Sequence, residues 1–245
     1  MKYMGSKARI AKDISPIINK LIKDNGITTY IEPFVGGCNM IEHIECEFKY
    51  GYANNVYLIE FWKALQRGWN PLGYPMTKEK YQNIKSNMGG YPTHIVALAG
   101  FCATYNAKWF GGYAGTVKTK INTYRNYYDE AVRNVLKQVE RINNVRFYCD
   151  DYLNIKDTKG ALIYCDPPYE GTTGYKDNFD HQAYWEWVRK MSKNNIVICS
   201  EYSAPPDFEC IWSKELTTTL DKNSRNKSVE KLFVIKKYKG VKHGT

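Results

Sequence analysis

The sequence predicts an α/β fold, and three observations support this prediction. Amphipathic helical segments alternate with short apolar runs through most of the chain. A β-branched segment over residues 27–31 is followed by Gly36–Gly37 and a predicted helix that begins near Asn39. The apolar run Ala161–Cys165 has the length of a buried strand and ends before two prolines, which cannot continue a central strand. Ligands of open α/β sheets bind beyond the carboxyl ends of the strands, so we look for a site there.

Helices are predicted where apolar residues recur at spacings of three and four. The segment that starts at Ile10 shows this spacing to about Lys23, and Asn25–Gly26 ends it. Thr77 and Asp180 are N-cap candidates for two further helices. The other predicted helices cover residues 56–67, 77–88, 93–105 and 129–143, and a segment after Asp180. The other predicted strands cover residues 145–149, 195–199, 208–212 and 229–235.

Composition indicates an intracellular protein with a polyanionic partner. The formal net charge is +10, which is typical of a nucleic-acid-binding chain, although a solvated basic surface is the alternative. The seven cysteines are scattered without a C-x-x-C pair, and Cys165 and Cys199 lie in apolar runs, so we expect buried thiols in a reducing, cytoplasmic compartment. The four histidines lack metal-ligand spacing, and the longest apolar stretch, Ile95–Ala103, is too short to span a membrane. We expect no metal, no signal peptide and no membrane partner.

Residues 108–130 are rich in glycine, aromatic residues and cations, which predicts a surface loop or hairpin. Cations that bind phosphates, interleaved with aromatic rings, suit contact with a nucleic acid, whereas a solvated loop is the alternative. The candidate contact residues are Lys108, Trp109, Phe110, Tyr113, Lys118, Lys120, Tyr124 and Arg125.

The tetrapeptide Asp166–Tyr169 carries the chemistry we consider most informative. It presents a carboxylate, a carbonyl between Pro167 and Pro168, and an aromatic ring at the end of a predicted strand. Two acceptors that hold the hydrogens of an exocyclic amine would localise and aim its lone pair, and Tyr169 would provide a face on which a planar base stacks. This set suits methylation of the adenine amino group. The alternative is a strand-ending turn with a surface carboxylate and a packed tyrosine.

Three motifs in a fixed order give a more specific indication. They are Tyr3-Met4-Gly5-Ser6-Lys7, Glu32-Pro33-Phe34-Val35-Gly36-Gly37 and Asp166-Pro167-Pro168-Tyr169. Together they resemble the Dam-type family of S-adenosylmethionine-dependent DNA adenine-N6 methyltransferases, including its phage-borne members. The resemblance implies a Rossmann-like class I methyltransferase sheet flanked by helices, with an inserted, mostly helical target-recognition region. It also implies that double-stranded DNA is the substrate, that the adenine is flipped out of the stack, and that the enzyme works in the cytoplasm of a bacterial or phage-infected cell.

The resemblance also implies a set of cofactor-binding residues. Tyr3 and Lys7 would contact the cofactor, and Phe34 with the backbone of Gly36–Gly37 would wrap its methionine part. Glu32 would lie near its amino end. Asp151 and Tyr152 would hold and flank its adenine, and Asp166 would also favour the cationic sulfonium.

One position departs from the family pattern. An Asp usually ends the second strand and bonds the ribose hydroxyls, but here that position falls on Ala53, followed by Asn54 and Asn55. No acid occurs from there until Glu60. Asn54 is the replacement candidate, and it loses the charge-assisted part of the hydrogen bond, on the order of 1 kcal/mol. We therefore expect a functional cofactor site of lower affinity.

Residues 1–67 and 144–245 are predicted to form a discontinuous catalytic domain, and residues 68–143 the target-recognition insertion. Residues 170–178 are a candidate loop that closes over a flipped base. The alternatives are the same chemistry on RNA adenine or on cytosine N4, and a DNA-binding relative that has lost catalysis.

Overall fold

The computed structural model describes residues 1–105, 108–156, 158–169, 179–218 and 226–236. The chain groups into two compact units. The first consists of residues 1–15, 35–44 and 51–150, and the second of residues 16–34, 45–50 and 151–245. These units reflect packing rather than role, so the division into a catalytic domain and an insertion over residues 68–143 stays a prediction.

The described residues contain the strands β1 (Thr29–Glu32), β2 (Phe48–Ala53), β3 (Thr116–Lys118), β4 (Tyr124–Asn126), β5 (Val145–Cys149), β6 (Leu162–Cys165), β7 (Ile196–Glu201), β8 (Phe208–Thr218) and β9 (Asn226–Ile235). Seven of them form a mixed sheet in the order β5-β2-β1-β6-β7-β9-β8. Strand β6 pairs in parallel with β1 and β7, and β9 pairs antiparallel with β7 and β8. The α/β prediction is confirmed, and β8 and β9 are longer than predicted.

Strand β6 is buried along its whole length. Its register against β1 sets Leu162 beside Tyr30 and Ile163 beside Ile31. Its register against β7 sets Cys165 beside Cys199. A strand with parallel neighbours on both sides is covered on both faces, which explains its continuous apolar sequence. The carboxyl ends of β1, β6 and β7 consequently lie along one edge of the sheet.

The described helices are α1 (Ala11–Asp24), α2 (Val56–Gln66), α3 (Lys78–Ser86), α4 (Thr93–Ala97), α5 (Tyr127–Val139) and α6 (His181–Met191). Side-chain caps explain where several of them begin. Thr77 accepts a hydrogen bond from the Lys80 amide at 3.2 Å, and Asp180 accepts one from the Ala183 amide at 2.9 Å, as the sequence predicts. The predicted long helix over residues 93–105 is shorter, because α4 passes into a π-helical turn over Leu98–Cys102.

The predicted α-helix near Asn39 is wrong. Residues 35–44 contain only a short 3₁₀ turn, Ile41–His43. Cys38 adopts a left-handed backbone conformation with φ of 58°, which interrupts any helix that would start at the glycine pair. Ile41 and Ile44 are buried, so the segment is held by packing instead of by a helical ladder.

The predicted surface hairpin is confirmed. Strands β3 and β4 pair antiparallel, with Val117 opposite Arg125. Asn126, the last residue of β4, caps α5 by accepting a hydrogen bond from the Asp129 amide at 3.2 Å. The hairpin therefore leads directly into α5.

All seven cysteines lie among the described residues, and each is a free thiol. Cys165 and Cys199 are buried, as predicted. None of the described helices is long and apolar enough to cross a membrane. In the part of the chain that the structure covers, no three acidic, histidine or cysteine side chains are grouped to hold a metal.

Candidate active site

Two acids lie at the carboxyl ends of neighbouring strands of the second unit. Glu32 is the last residue of β1, and Asp166 comes directly after β6. Since these strands pair in parallel, both acids lie at the carboxyl edge of the sheet. Glu32 is buried and accepts a hydrogen bond from the Tyr30 hydroxyl at 2.7 Å. Burial, with the nearby Glu32 carboxylate, raises the pKa of Tyr30 well above its usual value, so the phenol stays a donor.

Asp166 is partly exposed, whereas Pro167 after it is buried. After the strand, Pro167 thus packs against protein, whereas Asp166 and Pro168 each keep part of their surface exposed. The role of Asp166 as an acceptor that meets a substrate stays a prediction.

Tyr169 is anchored by its hydroxyl. Its oxygen lies 2.8 Å from Oε2 of Glu230 and 2.7 Å from Oγ of Ser200. Its ring packs edge-to-face against Tyr202, with 4.7 Å between ring centroids. Burial, followed by the charges of Asp166 and Glu230, raises the pKa of Tyr169 well above its usual value. The sequence analysis predicts only a stacking ring here and misses both hydroxyl partners.

The position of Glu230 in the predicted strand indicates that its side chain is buried. Glu230 shares the alternation of Leu232 and Val234, which are buried, so a carboxylate occurs on the inward parity of β9. A buried carboxylate in an apolar row calls for a hydrogen-bonding partner. The identity of that partner was not available from the pattern.

Phe34 and Tyr152 lie together in an aromatic cluster of the second unit. Their ring centroids are 5.2 Å apart, and Phe34 also contacts Phe179 at 5.8 Å and Tyr184 at 6.0 Å. Tyr152 is buried, and burial, with the nearby Asp151 carboxylate, raises its pKa to about 12. Asp151 caps the short turn that carries Tyr152, accepting a hydrogen bond from the Leu153 amide at 2.9 Å. Phe34 keeps a partly exposed surface.

The glycine turn, residues 36–38, brings Tyr3 close in the first unit. A Cβ placed on Gly37 would lie 2.8 Å from the Tyr3 Cβ and 2.7 Å from Nδ2 of Asn39, so no side chain fits there. The space beside the Gly37 Cα is therefore filled by the protein itself. Gly36 has φ of 45°, which favours glycine for conformational reasons.

Lys7 lies in the same N-terminal segment as Tyr3. It opens a short 3₁₀ turn, Lys7–Arg9, that Ser6 caps, and Lys7 itself is buried. The Ser6 hydroxyl accepts a hydrogen bond from Nδ2 of Asn39 at 2.8 Å. The first motif thus contacts the glycine turn and the residue that follows it.

Asn54 follows β2 and is exposed. Its neighbour Asn55 is committed to capping α2, because its Oδ1 accepts a hydrogen bond from the Leu58 amide at 3.2 Å. The next acid, Glu60, pairs with Lys63 at 3.2 Å within α2. Asn54 is thus the available polar side chain at this strand end, and its role stays a prediction.

The hairpin presents part of the predicted nucleic-acid surface. Lys118, Lys120 and Tyr124 are exposed, and Tyr124 keeps 75% of its surface accessible. Arg125 is also exposed, although its Nε donates to Oε2 of Glu130 at 2.6 Å. Ile121, at 80% exposure, is a hairpin residue that the sequence analysis did not single out.

The segment before the hairpin is less available. Lys108 is exposed, but the Tyr113 hydroxyl donates to the Met76 carbonyl at 2.6 Å. The prediction that Trp109 and Phe110 lie on the contact surface is wrong. Phe110 is buried, and Trp109 packs against Phe101 with ring centroids 4.6 Å apart. Packing these rings against other aromatic side chains removes apolar surface from water, which is more favourable than leaving the rings exposed. The candidate lid over residues 170–178 lies outside the described residues.

The chain is similar to known methyltransferases. Residues 3–203 match the family described as D12 class N6 adenine-specific DNA methyltransferase. The type II methyltransferase M.MjaIII of Methanocaldococcus jannaschii is 24% identical over 248 residues, which cover 85% of this chain and 85% of that protein. Among solved structures, the rRNA methyltransferase aviRa of Streptomyces viridochromogenes matches with a TM-score of 0.47 and 10% identity over 94% of this chain and 85% of that one. A conserved hypothetical protein of Streptococcus pyogenes matches with a TM-score of 0.35 and 8% identity over 84% and 85%. Both structural likenesses are too distant to bear on substrate or mechanism.

Proposed function

Since the chain belongs to the D12 class of N6 adenine-specific DNA methyltransferases, we propose that it transfers the methyl group of S-adenosylmethionine to an adenine flipped out of double-stranded DNA. The observation that supports this most directly is the pairing of β1 with β6, which sets Glu32 and Asp166 on neighbouring strand ends. An amino group paired inside the duplex could not reach a carboxylate at such a strand end, so the base must leave the stack.

The residues present suit the proposed cofactor. S-adenosylmethionine carries a sulfonium, an ammonium and an adenine ring. The second unit offers carboxylates for the cations, Glu32 and Asp166, and a partly exposed ring, Phe34, for apolar contact. We assign Glu32 to the amino end, Phe34 to the methionine part, and Asp151 with Tyr152 to the adenine. Because Tyr152 is buried against Phe34, its contribution is to support that ring as well as to flank the ligand.

Cofactor contacts in the first unit are assigned on the same basis. Tyr3 lies close to Gly37, and Lys7 follows Ser6, which accepts a hydrogen bond from Asn39 just after the turn; this proximity supports a common role for them. Asn54 is assigned to the ribose hydroxyls, with a neutral hydrogen bond in place of a charged one. When bound, the cofactor supplies an electrophilic methyl group on a positively charged sulfur.

Asp166 and the Pro167 carbonyl would each accept one hydrogen of the adenine amino group. This localises the nitrogen lone pair, which is otherwise delocalised into the ring, and directs it towards the methyl carbon. As the bond from nitrogen to the methyl carbon forms, the bond from that carbon to sulfur would break and leave a neutral thioether. The Asp166 carboxylate would stabilise the positive charge on the nitrogen until the extra proton passes to solvent. No covalent enzyme intermediate is needed, so buried Cys165 has a structural role.

We assign the DNA contacts to the hairpin and the segment before it. Lys118, Lys120 and Arg125 are suited to phosphates, and Tyr124 to a base or a groove. Lys108 is exposed and suited to a phosphate, whereas the anchored Tyr113 hydroxyl leaves only its ring for contact.

The test is transfer of a labelled methyl group to duplex DNA, followed by digestion to nucleosides. We expect the label in N6-methyldeoxyadenosine, and a fall in kcat of about 10²–10³-fold for Asp166→Ala. Asp166→Asn is the matched variant, since it keeps one acceptor oxygen and loses the charge. Label in cytosine or only in RNA would contradict the proposal. DNA binding without transfer at saturating cofactor would instead indicate an inactive relative, the alternative that Asn54 in place of an acid favours.

A further inference from the structure

Gln138 of α5 is buried, with 1% of its surface exposed. Its side-chain amide forms hydrogen bonds with the segment that contains the glycine turn. Its Nε2 donates to the Gly37 carbonyl at 2.9 Å and to Oε1 of Glu42 at 3.0 Å. Its Oε1 accepts a hydrogen bond from the Met1 amino group. Both donor hydrogens and the acceptor oxygen of this side chain are therefore used within the first unit.

Arg141, two residues beyond the last residue of α5, completes the attachment. Its Nε lies 2.8 Å and its Nη2 2.5 Å from Oε2 of Glu42. Oε1 of Glu42 thus accepts a hydrogen bond from Gln138, and Oε2 accepts hydrogen bonds from Arg141. Gln138 of α5 and Arg141, which lies beyond the end of α5, thus both hold the segment that follows the glycine turn.

These hydrogen bonds hold residues 35–44 in place of the backbone hydrogen bonds that an α-helix would provide. Residues 35–44, all of them described, form a single 3₁₀ turn, Ile41–His43, and no α-helix. Gly36 and Cys38 both have positive φ, and for Cys38, which has a Cβ, this conformation persists only where the surroundings hold it in place. The Gly37 carbonyl lies between them and is fixed by Gln138.

We propose that Gln138 is a positioning residue for the cofactor: by fixing the Gly37 carbonyl it sets the orientation of the turn and, through it, the affinity for S-adenosylmethionine. The inference rests on the proposed role of the glycine turn. It extends the cofactor machinery to α5, inside the segment that the sequence analysis predicts to recognise DNA. Gln138 acts on the affinity for the cofactor and leaves the chemical step to Asp166.

The test compares Gln138→Leu with Val135→Ala. Val135 is fully buried on the same helix, and no hydrogen bond from its side chain reaches the turn, so its truncation reports the loss of packing alone. Binding of S-adenosylmethionine is measured by calorimetry, unfolding by urea titration, and KM and kcat by labelled transfer. For Gln138→Leu we expect the Kd and KM for the cofactor to rise about tenfold with kcat at saturation within about twofold, because a turn that is no longer fixed spends only part of its time in the orientation that binds the cofactor. For Val135→Ala we expect a loss of stability with an unchanged Kd.

Gln138→Asn keeps the amide on a shorter side chain and provides a milder variant if the leucine variant does not fold; we expect an intermediate Kd. An unchanged Kd in a folded Gln138 variant, or an equal rise in Val135→Ala, would overturn the inference. Absence of S-adenosylmethionine binding by the wild-type protein at millimolar concentration would overturn the proposed function as well, and so is distinguishable from failure of this inference alone.

Discussion

The hydroxyl of Tyr169 donates a hydrogen bond to Oε2 of Glu230 at 2.8 Å. Because a phenol has one hydrogen, the 2.7 Å contact with Ser200 is a hydrogen bond that the serine donates. The three side chains form a directed series, Ser200 to Tyr169 to Glu230. It fastens the end of the Asp166–Tyr169 turn to two strands of the sheet.

Removing the hydroxyl should therefore destabilise the protein. In Tyr169→Phe the ring stays, but Glu230, with 8% of its surface exposed, loses a donor. We expect the free energy of unfolding to fall by about 1–3 kcal/mol, the usual cost when a buried charged acceptor loses a partner. Urea titration measures it, with Tyr124→Phe on the exposed hairpin as the control. Equal small effects in both variants would show that the hydroxyl series adds no stability.

Cys38 allows a test of backbone strain. It is fully buried and has φ of 58°, a conformation that costs a residue with a Cβ about 1 kcal/mol relative to glycine. Cys38→Ala removes the sulfur and keeps that strain, whereas Cys38→Gly removes both. We expect the glycine variant to be more stable than the alanine variant by about 1 kcal/mol in urea titration. An alanine variant at least as stable as the glycine variant would show that the turn is unstrained.

The ion pair between Arg125 and Glu130 predicts a pH dependence. The hydrogen bond from Arg125, with a smaller contribution from Lys2, lowers the pKa of Glu130 below its ordinary value. A carboxyl with a lowered folded-state pKa stabilises the protein above its unfolded-state pKa, about 4.3. This contribution is lost as the pH falls through the folded-state value.

The measurement compares the free energies of unfolding of the wild type and Glu130→Gln across the acid range. We expect a constant difference near neutral pH, and a difference that shrinks to zero in the acid range below the ordinary carboxyl pKa. A difference that is the same at both ends of the range would mean that the ion pair contributes nothing through its charge.

DNA affinity should fall as salt rises. Each phosphate that a cation neutralises contributes about −0.9 to the slope of log K against log salt concentration. Lys118→Ala and Lys120→Ala should each make the slope shallower by about that amount if each lysine meets one phosphate. Lys159→Ala, which removes an exposed lysine of the second unit, is the control and should leave the slope unchanged. Filter binding at several salt concentrations measures it, and an unchanged slope in both hairpin variants would exclude them as phosphate contacts.

Local features of this fold could be predicted from the sequence because their causes are local. The apolar run of β6 and the caps Thr77 and Asp180 follow from neighbouring residues. The three motifs also lead to residues that the structure gathers within each unit, such as Tyr3 with Gly37. The predicted helix near Asn39 fails because the strained conformation of Cys38 has no sequence signature in a non-glycine residue.

Contacts between distant residues could not be predicted. Tyr169 and Glu230 are 61 positions apart, and Gln138 and Gly37 are 101 apart. The helical period did indicate that Gln138 is buried, since Gln138 lies on the same helix face as the buried residues Val132 and Val135. A glutamine at such a position calls for partners, but which carbonyl it meets depends on the assembled fold.

The short 3₁₀ turn after Cys38 has an electrostatic consequence. Peptide dipoles add up along an α-helix, and its first turn then attracts anions without any charged side chain. Three residues of 3₁₀ helix sum to little, so any attraction of this turn for an anion must depend on single amides and on charged side chains. Its attraction then resides in individual side chains, and exchanging one of them could change which ligand charge this turn accepts.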